Sequence, residues 1–183
     1  MASFAERMTG ALKADVHTFE EIEADQTALP QAIAVIVIAG IASLIGNVFR
    51  IGIIGGFMML LVSVCVSALY ALIVVLIGTQ VMPEPTTKAD FNEAFRVIGF
   101  TAAPGVFNVL AIIPFLGPLL SLVIWIWTIV VGVVAVRQVL DYSNTGRAII
   151  VCLIAGVICW IVSVMILTPL LVGSLVVRGM TGY

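Results

Sequence analysis

Residues 97–113 read Val-Ile-Gly-Phe-Thr-Ala-Ala-Pro-Gly-Val-Phe-Asn-Val-Leu-Ala-Ile-Ile, and whether they cross a bilayer decides the fold of this chain. The stretch is apolar, but it carries Pro104, which removes a helix hydrogen bond. Seventeen α-helical residues rise about 26 Å, short of the roughly 30 Å of hydrocarbon that a span must cover. Length alone leaves a re-entrant segment open. The basic residues decide.

Four longer apolar runs flank this one: Gln31 to Phe49, Ile53 to Ile77, Leu119 to Val136 and Ala148 to Leu171. If residues 97–113 also cross, Arg7, Lys13, Lys88, Arg96, Arg137 and Arg147 fall on one side and only Arg50 and Arg178 on the other. Basic residues collect on the cytoplasmic side of membrane proteins, so a six-to-two split is the expected signature. Without that crossing, Arg137 and Arg147 change sides and the split becomes four to four. The sequence therefore predicts an all-α polytopic membrane bundle of about five transmembrane helices with an N-terminal amphipathic helix. Residues 1–30 form a cytoplasmic tail, 31–177 the transmembrane domain and 178–183 a short outer tail. The expected location is a bacterial cytoplasmic membrane, with the N-terminus inside and Tyr183 outside.

Composition points the same way. Of 183 residues, 62% are hydrophobic and 10% charged, against roughly 45–50% and about 25% in soluble domains. A net charge of −2, with no basic cluster, argues against nucleic acid as a partner. Cys65, Cys152 and Cys159 lie in apolar runs, where they read as small hydrophobes. Residues 1–28 hold six acidic residues and no apolar run, unlike a secretory signal.

In the tail, Phe4, Met8, Leu12, Val16, Phe19 and Ile22 recur at helical spacing opposite Glu6, Lys13, Asp15, Glu20 and Glu23. This predicts a helix broken near Gly10 and ending at Pro30. It rests on the membrane or the bundle's own cytoplasmic end, or it offers those six apolar residues to a partner. The first use is the more common, although the acidic face suits protein better than anionic lipid. A second polar stretch, Pro83-Glu84-Pro85-Thr86-Thr87, leads into Thr87-Lys88-Ala89-Asp90, which reads as a capping box opening a helix along the interface.

The five runs contain no Asp, Glu, Lys, Arg or His. Charge in lipid is expensive and marks function, so pumps and proton-coupled carriers normally keep some. The only histidine, His17, sits in the tail, and no catalytic set or metal motif can be assembled. The sequence thus predicts no enzyme, no cofactor and no metal site, and shows no small-molecule substrate. Asn47, Asn108 and Thr101 are the candidate intramembrane polar groups, read first as bridges between helices and second as the lining of a solute path. Small residues at four-residue spacing, Gly52, Gly56, Ser63 and Ser67 in one run and Cys152, Gly156 and Ser163 in another, read as helix-packing faces. Trp125, Trp127 and Trp160 lie too deep for an interface belt and pack between helices or face lipid or a neighbouring protein.

From Phe100 onward the chain resembles the Yip1 family of membrane proteins. Gly99-Phe100-Thr101-Ala102-Ala103-Pro104 is similar to that family's helix-entry motif, and Ile112-Ile113-Pro114-Phe115-Leu116-Gly117 to its apolar turn. Trp127, Gly132, Arg137 and Thr145-Gly146-Arg147-Ala148 continue the likeness, and Thr18-Phe19-Glu20-Glu21-Ile22-Glu23 resembles the tail of bacterial members. The resemblance implies a five-helix membrane domain with a cytosolic N-terminus and supplies no catalytic residues. Three functions follow as expectations. The first is a non-catalytic adaptor or accessory subunit that stabilises a larger membrane complex, an energy-converting one included, with other integral membrane proteins and lipid as partners. The second is a transporter or channel for a small neutral solute, which a polar cavity between the spans would favour. The third is membrane shaping or trafficking, as in eukaryotic relatives.

Overall fold

The structure is a computed structural model that describes residues 2–113 and 115–181, with side chains as far as Pro169. Every regular element among them is helical: α1 (Phe4–Leu12), α2 (Val16–Ala24), α3 (Leu29–Leu76) flanked by a short 3-10 turn (Gln26–Ala28) and a π-helical turn (Ile77–Val81), α4 (Phe91–Phe100), a 3-10 helix (Ala103–Ile112), α5 (Gly117–Val139) and α6 (Thr145–Thr181). Four helical stretches are long and apolar enough to cross a membrane, and the first of them, Gln26–Val81, contains 56 residues. Straight, it would run about 84 Å, far beyond any bilayer. It does not run straight.

Gly52 takes φ 70° and ψ 173° inside α3, a left-handed backbone that side-chain-bearing residues avoid. There the chain doubles back. A Cβ built on Gly40 would lie 3.0 Å from Leu60 Cγ, and one on Gly56 would lie 2.7 Å from Leu44 Cγ, so residues 29–51 and 53–76 form an antiparallel hairpin. With α4 plus the 3-10 helix, α5 and α6, this makes about five membrane-length segments. Pro114 and Tyr183, used above for the apolar turn and the outer terminus, lie outside the described residues.

The third crossing solves its length problem by changing helix type. α4 ends at Phe100, and residues 103–112 wind as a 3-10 helix with Pro104 in its first turn. Ten residues at about 2.0 Å rise instead of 1.5 Å add about 5 Å, which brings residues 97–113 to about 31 Å. The helix that leads into it lies at the centre of the bundle, for Ala94 to Phe100 are buried without interruption. Small residues let the first crossing close on it. Added Cβ atoms would meet Ala32 at 2.7 Å from Gly99, Ala39 at 2.9 Å from Gly105 and the Asn108 carbonyl oxygen at 1.9 Å from Gly46.

The segments that the basic residues assign to one face meet at one end of the bundle, here the charged end. Thr87 Oγ1 donates to the Leu140 carbonyl at 2.8 Å, Tyr142 Oη donates to the Met82 carbonyl at 2.8 Å, and Ser143 N donates to Glu84 Oε2 at 3.1 Å. These bonds lock the loop before α4 to the loop between α5 and α6. The capping box of α4 is Asp90 with Glu93, not Thr87 with Asp90: both acids bond to backbone N–H groups, while Thr87 is committed to Leu140.

The tail folds into a hairpin of two short helices and inserts against the charged half of the bundle. Ser3 caps α1, Asp15 caps α2, and Ala14 makes the reversal with φ 54°. The helical pattern is indeed broken near Gly10, at Lys13 to Asp15, but it ends at Ala24 and not at Pro30, which lies in the first turn of α3; Gly10 itself stays within α1. It permits close approach, since a Cβ there would fall 2.1 Å from Thr18 Oγ1. Phe19 and Ile22 are fully buried in the same core as Phe100, Val131 and Val139, so residues 1–30 and the bundle share one hydrophobic core.

Candidate functional site

A cavity of about 490 Å³ opens in the half of the bundle away from the charged end. Ser43 and Asn47 face it from the first crossing, Ser63 and Ser67 from the second, Asn108 from the 3-10 helix, and Ser121 and Thr128 from α5. No Asp, Glu, Lys, Arg or His is among its described lining. The cavity exists because its residues are short. Ala39, Gly40, Gly56, Ala102 and Gly105 complete the wall and withhold the side chains that would fill it, while Ile36, Leu44 and Leu60 supply apolar surface.

Its hydrogen bonds run in one sense. Ser63 Oγ donates to the Leu60 carbonyl at 2.7 Å, Ser67 Oγ to the Ser63 carbonyl at 2.8 Å, and Thr128 Oγ1 to the Ile124 carbonyl at 2.9 Å. Asn47 Nδ2 donates to the Ser43 carbonyl at 3.0 Å, and Asn108 Nδ2 to Ser43 Oγ at 3.1 Å. Ser63, Ser67 and Thr128 thus donate within their own helices and keep oxygen lone pairs, while Asn47 and Asn108 each keep a carbonyl oxygen and a second amide N–H. An uncharged cavity that offers both acceptors and amide donors suits a ligand with hydroxyl groups, which give and accept hydrogen bonds.

The charged end closes the bundle opposite the cavity. Arg7, 1% exposed, donates to Asp25 Oδ2 at 2.6 Å, Glu21 Oε1 at 3.0 Å and Gln31 Oε1 at 3.2 Å, tying α1 to α2 and to the start of α3. Burial pulls its pKa down, but the bonds to Asp25 and Glu21 outweigh that and hold it above its ordinary value. Arg96, also buried, donates to the Glu23 carbonyl at 2.5 Å. Trp127 Nε1 donates to the Leu12 carbonyl at 2.9 Å while its ring stacks on Phe107. Glu23 is the titratable group of the seam. Burial first, then the nearby charges of Asp141 and Glu93, push its pKa up to about 7, against the opposing pull of Arg96.

The residues singled out in the sequence distribute unevenly over this geometry. Asn47 and Asn108 come together in the cavity; Thr101 does not join them, because its hydroxyl donates to the Ile98 carbonyl at the end of α4. Ser63 and Ser67 line the cavity, and Gly56 lies against Leu44. Gly52 turns the chain and has nothing within 4 Å of an added Cβ, so it packs no helix. Gly156 is likewise open, Cys152 Sγ sits 3.8 Å from the Gly132 carbonyl, and Ser163 Oγ donates to the Cys159 carbonyl of its own helix. Of the tail's apolar residues, Phe4, Met8, Leu12, Phe19 and Ile22 pack into the chain's own core, and only Val16 is well exposed. That face is therefore occupied internally rather than offered to a partner. Trp125 and Trp160 point outward from the bundle, 62% and 68% exposed.

Sequence reading missed Ser43, Ser121 and Thr128 in the cavity, and Gly46, Gly99 and Gly105 as the close-packing positions of the third crossing. The signal for the latter was available as Ala32, Ala39 and Gly46 at seven-residue spacing, which places three small residues on one face of the first span. The Yip1 domain family model matches residues 10–167. No curated protein and no solved structure matches the chain.

Proposed function

This chain belongs to the Yip1 family, and from that premise we propose that it is a non-enzymatic integral membrane protein that binds and moves a small, neutral, hydrogen-bonding molecule, with its charged end in the cytoplasm. The orientation is supported by the six basic residues in the segments gathered at that end. One observation carries the function: seven uncharged polar side chains from four crossings converge on a single cavity in the membrane half of the bundle. Polar side chains in hydrocarbon are costly when unsatisfied, and a fold that needed them only as helix glue would pair them across helices. Here one pair, Asn108 with Ser43, does so, while Ser63, Ser67 and Thr128 bond back to their own helices.

The tail hairpin packs over the charged end of the bundle, so the cavity has no open path through that end. Passage would require the hairpin to shift, with Arg7, Glu23 and Trp127 as its fastenings. Glycerol entry into proteoliposomes is the test. The protein should raise it above the protein-free rate, and Asn108→Leu should return it toward that rate. No difference between the protein and empty liposomes would remove the transport reading.

A second reading, an accessory subunit within a larger membrane assembly, is supported by Gly156, where α6 presents a small residue with open space above it. Co-purification from native membranes checks it. A stable partner lost on Gly156→Leu is the supporting result, and a monomer without partners in mild detergent is the opposing one.

A further inference from the structure

Among the described residues, the cavity has no wall from α6. That helix packs on α3 and α5 in the charged half, through Ala148, Val151, Ala155 and Cys159. Beyond Cys159 its described residues are mostly exposed, and none of them lines the cavity. α3 and α5 scarcely touch each other; each packs against the 3-10 helix. Ser63 and Ser67 on one side and Ser121 and Thr128 on the other are only partly buried. The opening therefore lies between the second and fourth crossings and faces sideways, into the leaflet away from the charged end.

We propose that this cavity is a lateral site for the hydroxyl-bearing head of a neutral amphiphile, such as a diacylglycerol, taken from the outer leaflet. The inference rests on the reading of the cavity as a binding site and on the orientation given above. Three features select this chemistry. An anionic or cationic head would enter a space with no counter-charge, where burying an unpaired charge is prohibitive. A choline head has no hydrogen-bond donor to give to Ser63, Ser67 and Thr128, whose hydroxyl protons are already engaged. A free hydroxyl can donate to the lone pairs of these side chains and accept from the second amide N–H of Asn47 or Asn108, and apolar wall from Ile36, Leu44 and Leu60 continues from the polar patch for the start of an acyl chain.

The protein, full length in phosphatidylcholine nanodiscs, is to be titrated with dioleoylglycerol, with dioleoylphosphatidylglycerol and with soluble glycerol, and bound ligand counted by native mass spectrometry. Dioleoylglycerol should bind saturably, and Asn108→Leu should weaken it about tenfold, the equivalent of one or two hydrogen bonds. Because Asn108 also bonds Ser43, a second variant, Ser121→Ala with Thr128→Val, is required to weaken binding in the same direction. Ser163→Ala, outside the cavity, should leave it unchanged. Binding of glycerol, sensitive to Asn108→Leu, without binding of dioleoylglycerol would overturn the lipid inference and leave the binding reading intact. Equal binding of dioleoylphosphatidylglycerol would overturn the selection for a neutral head. If neither dioleoylglycerol nor glycerol binds, both the inference and the proposed function fall.

Discussion

Replacing Gly46 by alanine adds one methyl group, and the structure says where it goes. The new Cβ would lie 1.9 Å from the carbonyl oxygen of Asn108 and 3.2 Å from the Ala111 Cβ. Cβ contacts under 3.0 Å are essentially never seen, so the two segments must separate by about 1.1 Å (3.0 minus 1.9). The obstacle is backbone rather than the end of a flexible side chain, so no rotamer change relieves it. Overpacking of this kind costs about 1–3 kcal/mol, and a backbone clash belongs at the upper end. Alanine returns up to about 1 kcal/mol as the better helix former, leaving a net loss of about 2 kcal/mol. Gly156→Ala is the matched control, because a Cβ there meets nothing within 4 Å and only the helix-propensity gain applies. Reversible unfolding of both variants in mixed micelles, followed by far-ultraviolet circular dichroism, should place Gly46→Ala about 2–3 kcal/mol below Gly156→Ala. Equal stabilities would show that the first crossing does not seat against the 3-10 helix as described. The same retreat would stretch the 3.1 Å bond from Asn108 to Ser43, so cavity binding should fall together with stability.

Gly52→Ala should cost about 1–2 kcal/mol in the same unfolding assay, with no steric neighbour to blame, because φ 70° is strained for any residue with a Cβ; a neutral result would mean that the turn adopts another backbone. Arg7→Met removes the cation shared by Asp25, Glu21 and Gln31 and should release the tail hairpin. A single cysteine at Ala11, a fully buried position, in a variant without the native three should then alkylate much faster than in the Arg7 parent, and an unchanged rate would refute the fastening. Glu23 makes hairpin docking depend on pH. Its docked pKa of about 7 lies above the usual 4.5, so the docked state holds a proton that the released state loses, and docking weakens as pH rises from about 4.5 through 7. The ceiling of about 3 kcal/mol falls to about 1–2 kcal/mol once solvent screening of this half-exposed group is allowed for. The Ala11 cysteine should label faster at pH 8 than at pH 5.5 after correction for thiol ionisation, and Glu23→Gln should flatten the difference.

The sequence by itself determined that this is a membrane bundle of about five helices and which polar segments gather at one end. Those are one-dimensional properties. Hydrocarbon thickness sets a minimum run of apolar residues, and basic residues are counted segment by segment, so neither requires knowing what touches what. The helical period of Phe4, Met8, Leu12, Phe19 and Ile22 was legible for the same reason, since a 3.6-residue repeat is local. What covers that face was not legible, because lipid, a partner and the chain's own α4 and α5 present the same apolar surface to a periodic pattern. Small residues raised the same ambiguity in sharper form. Gly46, Gly52, Gly56 and Gly156 are chemically identical, yet one seats a neighbouring backbone, one turns the chain, one receives Leu44 and one is open. The winding of residues 103–112 as a 3-10 helix, which lets a short segment span the bilayer, follows Pro104 only in part. The close seat of Gly46 and Gly105 against it is a matter of two helices meeting. The cavity was the least legible feature of all. Ser43, Asn47, Ser63, Ser67, Asn108, Ser121 and Thr128 are scattered over 86 positions of sequence (128 minus 43, counted inclusively), each unremarkable in its own span. Only the tertiary structure brings them around one space, because a cavity is defined by the side chains that fail to fill it, and that depends on every helix around it at once.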